Sequence, residues 1–187
     1  MVGLPGAGKS FFANKFAETF KAPIVCEETY SNAIDSNEEE RVETARDIAL
    51  SILPEMLKTG STIIFDGSAG MRSERAEIAR IAKLAGYKTL FVWVQTDAAT
   101  SKQRVLRPRK SDNKQPLSKE AYINLIKRFS QPHPSENYIV LSGKHTYCTQ
   151  AKTLLKKLVE PRAAASVSEV SAPTQRQQPT GNRIKVV

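Results

Sequence analysis

Near the start of the chain, Gly3-Leu4-Pro5-Gly6-Ala7-Gly8-Lys9-Ser10 sets a glycine, four free positions, then Gly-Lys-Ser. Each fixed type has a physical reason. Gly3, Gly6 and Gly8 let the backbone take positive φ and come close to an anion. The loop's N–H groups then converge on phosphate oxygens, aided by the positive end of the helix that follows. Lys9 can reach the β- and γ-phosphates, and the Ser10 hydroxyl can ligate Mg²⁺. The stretch Gly3, Leu4, Pro5, Gly6, Ala7, Gly8, Lys9, Ser10 and Phe11 is thus expected to hold a nucleoside triphosphate.

Moving a phosphoryl group needs little covalent work from a protein. It needs phosphate clamps, Mg²⁺, a base for the acceptor and cations over the transferred group. Glu28, where a short apolar run ends, is the candidate base, and Glu27 beside it is its rival; neither spacing nor charge separates them. Asp66 directly follows an apolar run and is a candidate for Mg²⁺ or the acceptor. Gly67-Ser68-Ala69-Gly70 after it suits close approach of a substrate. Arg104, Arg107 and Arg109 are candidates for a closing lid, because planar guanidinium groups stabilise phosphoryl charge. Catalytic roles therefore fall on Lys9, Glu28, Asp66, Arg104, Arg107 and Arg109, and metal binding on Ser10 and Asp66.

The elements that must position these residues alternate. Phe12, Phe16 and Phe20, with Ala13 and Ala17, give helical spacing after the loop. Ile24-Val25-Cys26 reads as a short buried strand. Asp35-Ser36-Asn37 opens a helix favoured by Glu38, Glu39 and Glu40 in its first turn. Pro54 is expected to kink or break that helix, and Gly60 to end it. Residues 61–65 and 89–94 are apolar without alternation, as strands buried on both faces must be. Helices are expected over 72–85, 97–105, 117–129 and 149–159, with Ser118 as a cap, and a last strand over 138–141. Strands alternating with helices imply an α/β, parallel, doubly wound sheet flanked by helices. The loop should follow a buried strand, yet only Met1 and Val2 precede it, so the first strand is nearly absent.

The chain has 187 residues, 40% of them hydrophobic and 25% charged, which suits one soluble domain with an appendage. No apolar run approaches the roughly 20 residues that span a bilayer. Cys26 and Cys148 match no redox or metal spacing, so a cytoplasmic setting is expected. The formal charge of +9 favours anionic partners. From about Pro161 the composition turns to Ala, Ser, Thr, Pro and Gln, which cannot build a core. The division is therefore a domain over 1–160 and a low-complexity basic tail over 161–187, expected to be disordered. The tail's end, Arg183-Ile184-Lys185-Val186-Val187, is a β-prone patch that could fill the missing strand's slot; docking to a partner is its other use.

Together these residues resemble the P-loop kinases of the polynucleotide-kinase-like, AAA-type group, over about residues 1 to 158. The resemblance rests on the Gly3–Ser10 loop and Cys26-Glu27-Glu28-Thr29-Tyr30. It also rests on Ile63-Ile64-Phe65-Asp66 with Arg72 and Arg75, and on Arg104 to Arg109 followed by Gln115-Pro116-Leu117. It implies a P-loop NTPase fold with a five-stranded parallel sheet, and ATP-dependent phosphorylation of a hydroxyl. ATP and Mg²⁺ would be held by Lys9 and Ser10, with Glu28 as base and a lid arginine on phosphate. The family usually has Asp at the base position, and a hydroxyl residue with Asn where Gly67-Ser68 stands. The acceptor is expected to be a small molecule or a nucleic-acid end. The charge favours the latter, although stacking residues such as Tyr30 and Tyr122 are few. A nucleotide-binding module or an acceptor-free NTPase are the other readings.

Overall fold

The computed structural model describes residues 1–108 and 116–159. The buried strand runs pair in parallel, as their unalternating apolar character requires. β1 (Ile24–Cys26) pairs with β2 (Ile64–Asp66), Cys26 lying opposite Asp66. β3 (Phe91–Gln95) pairs with β4 (Tyr138–Ser142), Phe91 lying opposite Tyr138. Met1 and Val2 sit between the two pairs. The Met1 nitrogen donates to the Phe65 carbonyl at 2.7 Å. The Val2 N–H donates to Val92 O at 2.8 Å, and the Val94 N–H to Val2 O at 2.9 Å. The order across the molecule is β1, β2, Met1–Val2, β3, β4.

This differs from the five-stranded sheet that the resemblance implies and fits the nearly absent first strand read from the sequence. Two residues can form a single bridge, Val2 to Trp93, but not a ladder, so two two-stranded sheets remain. The strand slot beside the loop is held by Met1 and Val2. The tail offered as its alternative occupant lies outside the described residues.

Helices cover both faces. α1 (Lys9–Phe20) and α7 (Tyr147–Val159) bury Phe12, Phe16, Ala151 and Leu154 against Val92 and Leu141. α3 (Glu38–Leu57) and α4 (Arg72–Leu84) bury Leu53, Leu57 and Ile78 against Val2 and Phe91. Adjacent Phe91 and Val92 thus serve opposite cores, as the two-residue period of a strand dictates. Asn37 caps α3, accepting from Glu40 N at 3.0 Å. Pro54 does not break this helix, which continues to Leu57. It stands in the last turn, where its missing N–H removes one hydrogen bond and little helix remains to be bent. A short α2 (Glu27–Ser31), which apolar spacing does not announce, follows β1 directly. β2 begins only at Ile64 and β3 only at Phe91, later than their apolar runs. α5 (Ala98–Leu106) and α6 (Lys119–Arg128) complete the described elements, with Asp97 and Ser118 as caps.

Arg75 is the most buried large side chain, with no exposed surface. Its guanidinium donates to Glu136 at 2.6 and 3.1 Å and to the carbonyls of Ala69, Gly70, Ser130 and Gln131. One side chain so ties α4 to the loop after β2 and to the segment before β4. Arg75 thereby acts in the architecture of this chain.

Candidate nucleotide and phosphoryl-transfer site

Gly3, Gly6 and Gly8 take φ of 142°, 75° and 103°. Gly6 needs its missing side chain twice over. A Cβ there would meet the Ser101 carbonyl and the Val105 side chain, each at 2.7 Å. Gly8 caps α1 with no side-chain hydrogen bond, so the first amides of that helix face the loop's concavity. Lys9 Nζ donates to Gly3 O at 2.9 Å and Leu4 O at 3.1 Å, folding back over the loop. Ser10 stands in the first turn of α1, and Phe11 beside it is 59% exposed.

Neighbouring elements brace the loop. Ser101, fully buried on α5, donates to Pro5 O at 2.5 Å. Tyr122 of α6 donates to Ser101 Oγ at 3.1 Å, forming a relay from α6 through α5 to the loop. Thr96, after β3, donates to Ala7 O at 3.0 Å. A side chain at Gly143, after β4, would collide with Thr96 and Ala7, so glycine lets that turn close onto the loop. Asp97 beside it pairs with Lys144 at 3.2 Å. The backbone and hydroxyl of Thr100 and then Lys144 hold its carboxyl down to about 2.

Two acids reach the same place. Asp66 ends β2 and is 5% exposed. Glu27 begins α2 and lies across Gly67, where any side chain would collide with its carboxyl. Ser68 donates to Glu27 Oε2 at 2.7 Å, while Oε1 is buried with no hydrogen-bond partner among the described residues. Burial raises the Glu27 pKa above its usual value, the Ser68 hydrogen bonds opposing it. Asp66, Lys9 and Glu27 all act electrostatically on the buried Met1 nitrogen, whose pKa burial lowers. Glu28 shares the first turn of α2 with Glu27.

The lid residues are placed unequally. Arg104 on α5 donates to Gly6 O at 3.3 Å, at the mouth of the loop. Arg107 follows α5 and is exposed. Arg109 lies outside the described residues. Reading the sequence missed Ser101, Tyr122, Thr96 and Gly143 as supports. Each is about 90 to 140 residues from the loop, and no local spacing announces them. Ser68 did stand in a segment marked for close approach.

Comparison places the molecule. Residues 1–132 match the family model described as an AAA domain, and the chain belongs to that family. The fold is that of the P-loop kinases, parallel strands flanked by helices. A sugar kinase from Janibacter sp. HTCC2649 superposes with a TM-score of 0.61 at 18% identity, over 84% of this chain and 91% of that one. Kti12 of Chaetomium thermophilum, solved with ADP-AlF3, gives 0.61 at 15%, over 84% and 95%. The APS kinase of Mycobacterium tuberculosis, solved with AMPPNP and APS, gives 0.59 at 12%, over 84% and 94%. No protein with a curated description matches the chain in sequence. No helix among the described residues is long and apolar enough to cross a membrane.

Proposed function

We propose that this chain is a kinase that moves the γ-phosphoryl group of ATP to a hydroxyl of a small molecule. The placing of Lys9 over the Gly3–Ser10 loop, of Asp66 opposite Cys26 at the strand ends, and of the Glu27 carboxyl against Gly67 carries this reading. Lys9 exchanges its hold on Gly3 O and Leu4 O for the β- and γ-phosphates. The amides of the loop and of α1 take the remaining phosphate oxygens.

Glu27 and Glu28 are the two candidates for the base, and Glu27 is the one this reading favours. Glu27 Oε1 is buried and without a partner among the described residues, so an acceptor hydroxyl meets it at a gain in hydrogen bonding. A carboxyl raised by burial is also the better proton acceptor. Glu28, the base that the family resemblance implies, is the alternative on the same helix turn. In the reaction the acceptor oxygen bonds to the γ-phosphorus, its proton passes to the carboxylate, and the bond to the β-phosphate oxygen breaks to leave ADP.

Ser10 and Asp66 offer hard oxygen ligands, which suits Mg²⁺. That ion keeps most of its waters and needs only one or two protein oxygens beside phosphates. When bound, Mg²⁺ neutralises charge on the phosphates. Arg104 is the lid cation at the loop, with Arg107 and Arg109 as further members. The catalytic unit spans 1–160, a cytoplasmic domain whose tail over 161–187 serves partner docking.

The test is a panel of acceptors with γ-labelled ATP and Mg²⁺: sugars, nucleosides, aminoglycosides and 5′-hydroxyl oligonucleotides. Label in one class, lost in Lys9→Ala, supports the reading and names the acceptor. Bound ATP with every acceptor unlabelled would leave a nucleotide-binding module. Phosphate release indifferent to acceptor would mark an NTPase.

A further inference from the structure

A second concavity lies away from the loop, along α4 and against the starts of β3 and β4. Its volume is about 880 Å³. α4 gives it Arg72, Ala76, Ala79 and Lys83, spaced four, three and four residues so that they share one stripe. The eleven residue steps from Arg72 to Lys83 span about 16 Å of helix. A cation stands at each end of the stripe and two methyl groups stand between them. Lys88 adds a third cation, and Leu90 and Leu158 supply apolar wall. Arg72, Lys83 and Lys88 are exposed. The acid on this surface, Glu136, is engaged: Arg75 bonds both of its oxygens, and His133 N donates to one.

We propose that this groove docks an acidic amphipathic segment of a protein partner. Cations at both ends of a stripe about 16 Å long favour an extended ligand that carries several charges. The floor between them is aliphatic, which rewards apolar side chains on the ligand's inner face. A nucleic acid would find few rings to stack on: Phe91 is 7% exposed, and Tyr87 is half-buried with its hydroxyl held by Leu57 O. Leu84, Leu158 and Val159, at 77%, 52% and 77% exposure, extend the apolar surface beside the groove. Docking here leaves the nucleotide loop uncovered and is independent of the reaction proposed above.

The full chain can be titrated into a short fluorescent peptide carrying glutamates and, on one helical face, leucines. Polyglutamate of equal charge and a single-stranded oligonucleotide serve as comparisons. Anisotropy should show the amphipathic peptide bound most tightly. Affinity should fall about tenfold or more in Ala76→Trp, which fills the floor, and in Lys83→Glu with Lys88→Glu. It should be unchanged in Lys119→Glu with Lys127→Glu on α6. Affinity for MgATP, equal in all of these chains, shows that the fold is kept. Equal binding of polyglutamate, indifference to Ala76→Trp, or preference for the oligonucleotide would each overturn the proposal. So would self-association of the chain that Ala76→Trp abolishes, because the groove would then belong to a second copy.

Discussion

Among single residues, Glu27 carries the conflict between stability and chemistry. Burial raises its pKa, so the folded protein holds the proton more tightly than the unfolded chain does. Ionising it therefore costs stability: the cost is absent below the unfolded pKa of about 4.3 and complete once pH passes the folded value. Glu27→Gln keeps a carbonyl oxygen for Ser68 and abolishes the charge. The expected outcome is a higher Tm at pH 7, little change at pH 4, and transfer reduced about 100-fold or more. Thermal melts at the two pH values check the first part, and loss of transfer without loss of ATP affinity checks the second. Arg75 is the opposite case, a residue whose charge serves the fold. Arg75→Ala takes the ion pair from Glu136 and a donor from four carbonyls, and should cost about 3–5 kcal/mol in denaturant unfolding.

Among the elements, the loop depends on parts far from it in sequence. The relay from Tyr122 through Ser101 to Pro5 O fixes the loop's first half by side-chain hydroxyls. Ser101→Ala should cost about 0.5–1.5 kcal/mol of stability and weaken MgATP binding several-fold, read by calorimetric titration. Tyr122→Phe should do the same more mildly. The Gly3–Ser10 loop, the helix beginning beside it, the strands ending at Cys26 and Asp66, and the caps Asn37 and Ser118 were legible in the sequence. All rest on local rules of spacing, capping and φ. The choice between Glu27 and Glu28 was not legible, because it depends on how α2 turns over Gly67, a contact 40 residues away. The continuous α3 through Pro54 escaped the same reading, since proline's cost depends on its distance from the helix end.

For the whole molecule, Met1 and Val2 join the two short parallel pairs, Met1 bonding to Phe65 O and Val2 to β3. Val2 is the buried part of that join. It is 1% exposed, packs with Leu53, Ile78 and Phe91, and gives and receives a hydrogen bond with β3. Val2→Ala should lower stability by on the order of 2 kcal/mol in a single cooperative transition. Two separate transitions would show that β1–β2 and β3–β4 fold apart. The near-absence of the first strand was legible in the sequence, since only Met1 and Val2 precede the loop; five full strands were what the resemblance implied. In the structure Val2 bridges in parallel to Trp93, directly ahead of the loop.

The central claim is that the loop and the two carboxylates act together on one phosphoryl group. The most direct measurement follows the γ-label of ATP, in Mg²⁺, into acceptor and free phosphate for the full chain, Lys9→Ala and Glu27→Gln. The account predicts acceptor-dependent transfer by the full chain alone, with ATP still bound by Glu27→Gln. Transfer undiminished in Glu27→Gln, or label passing to water equally with and without acceptor, would contradict it.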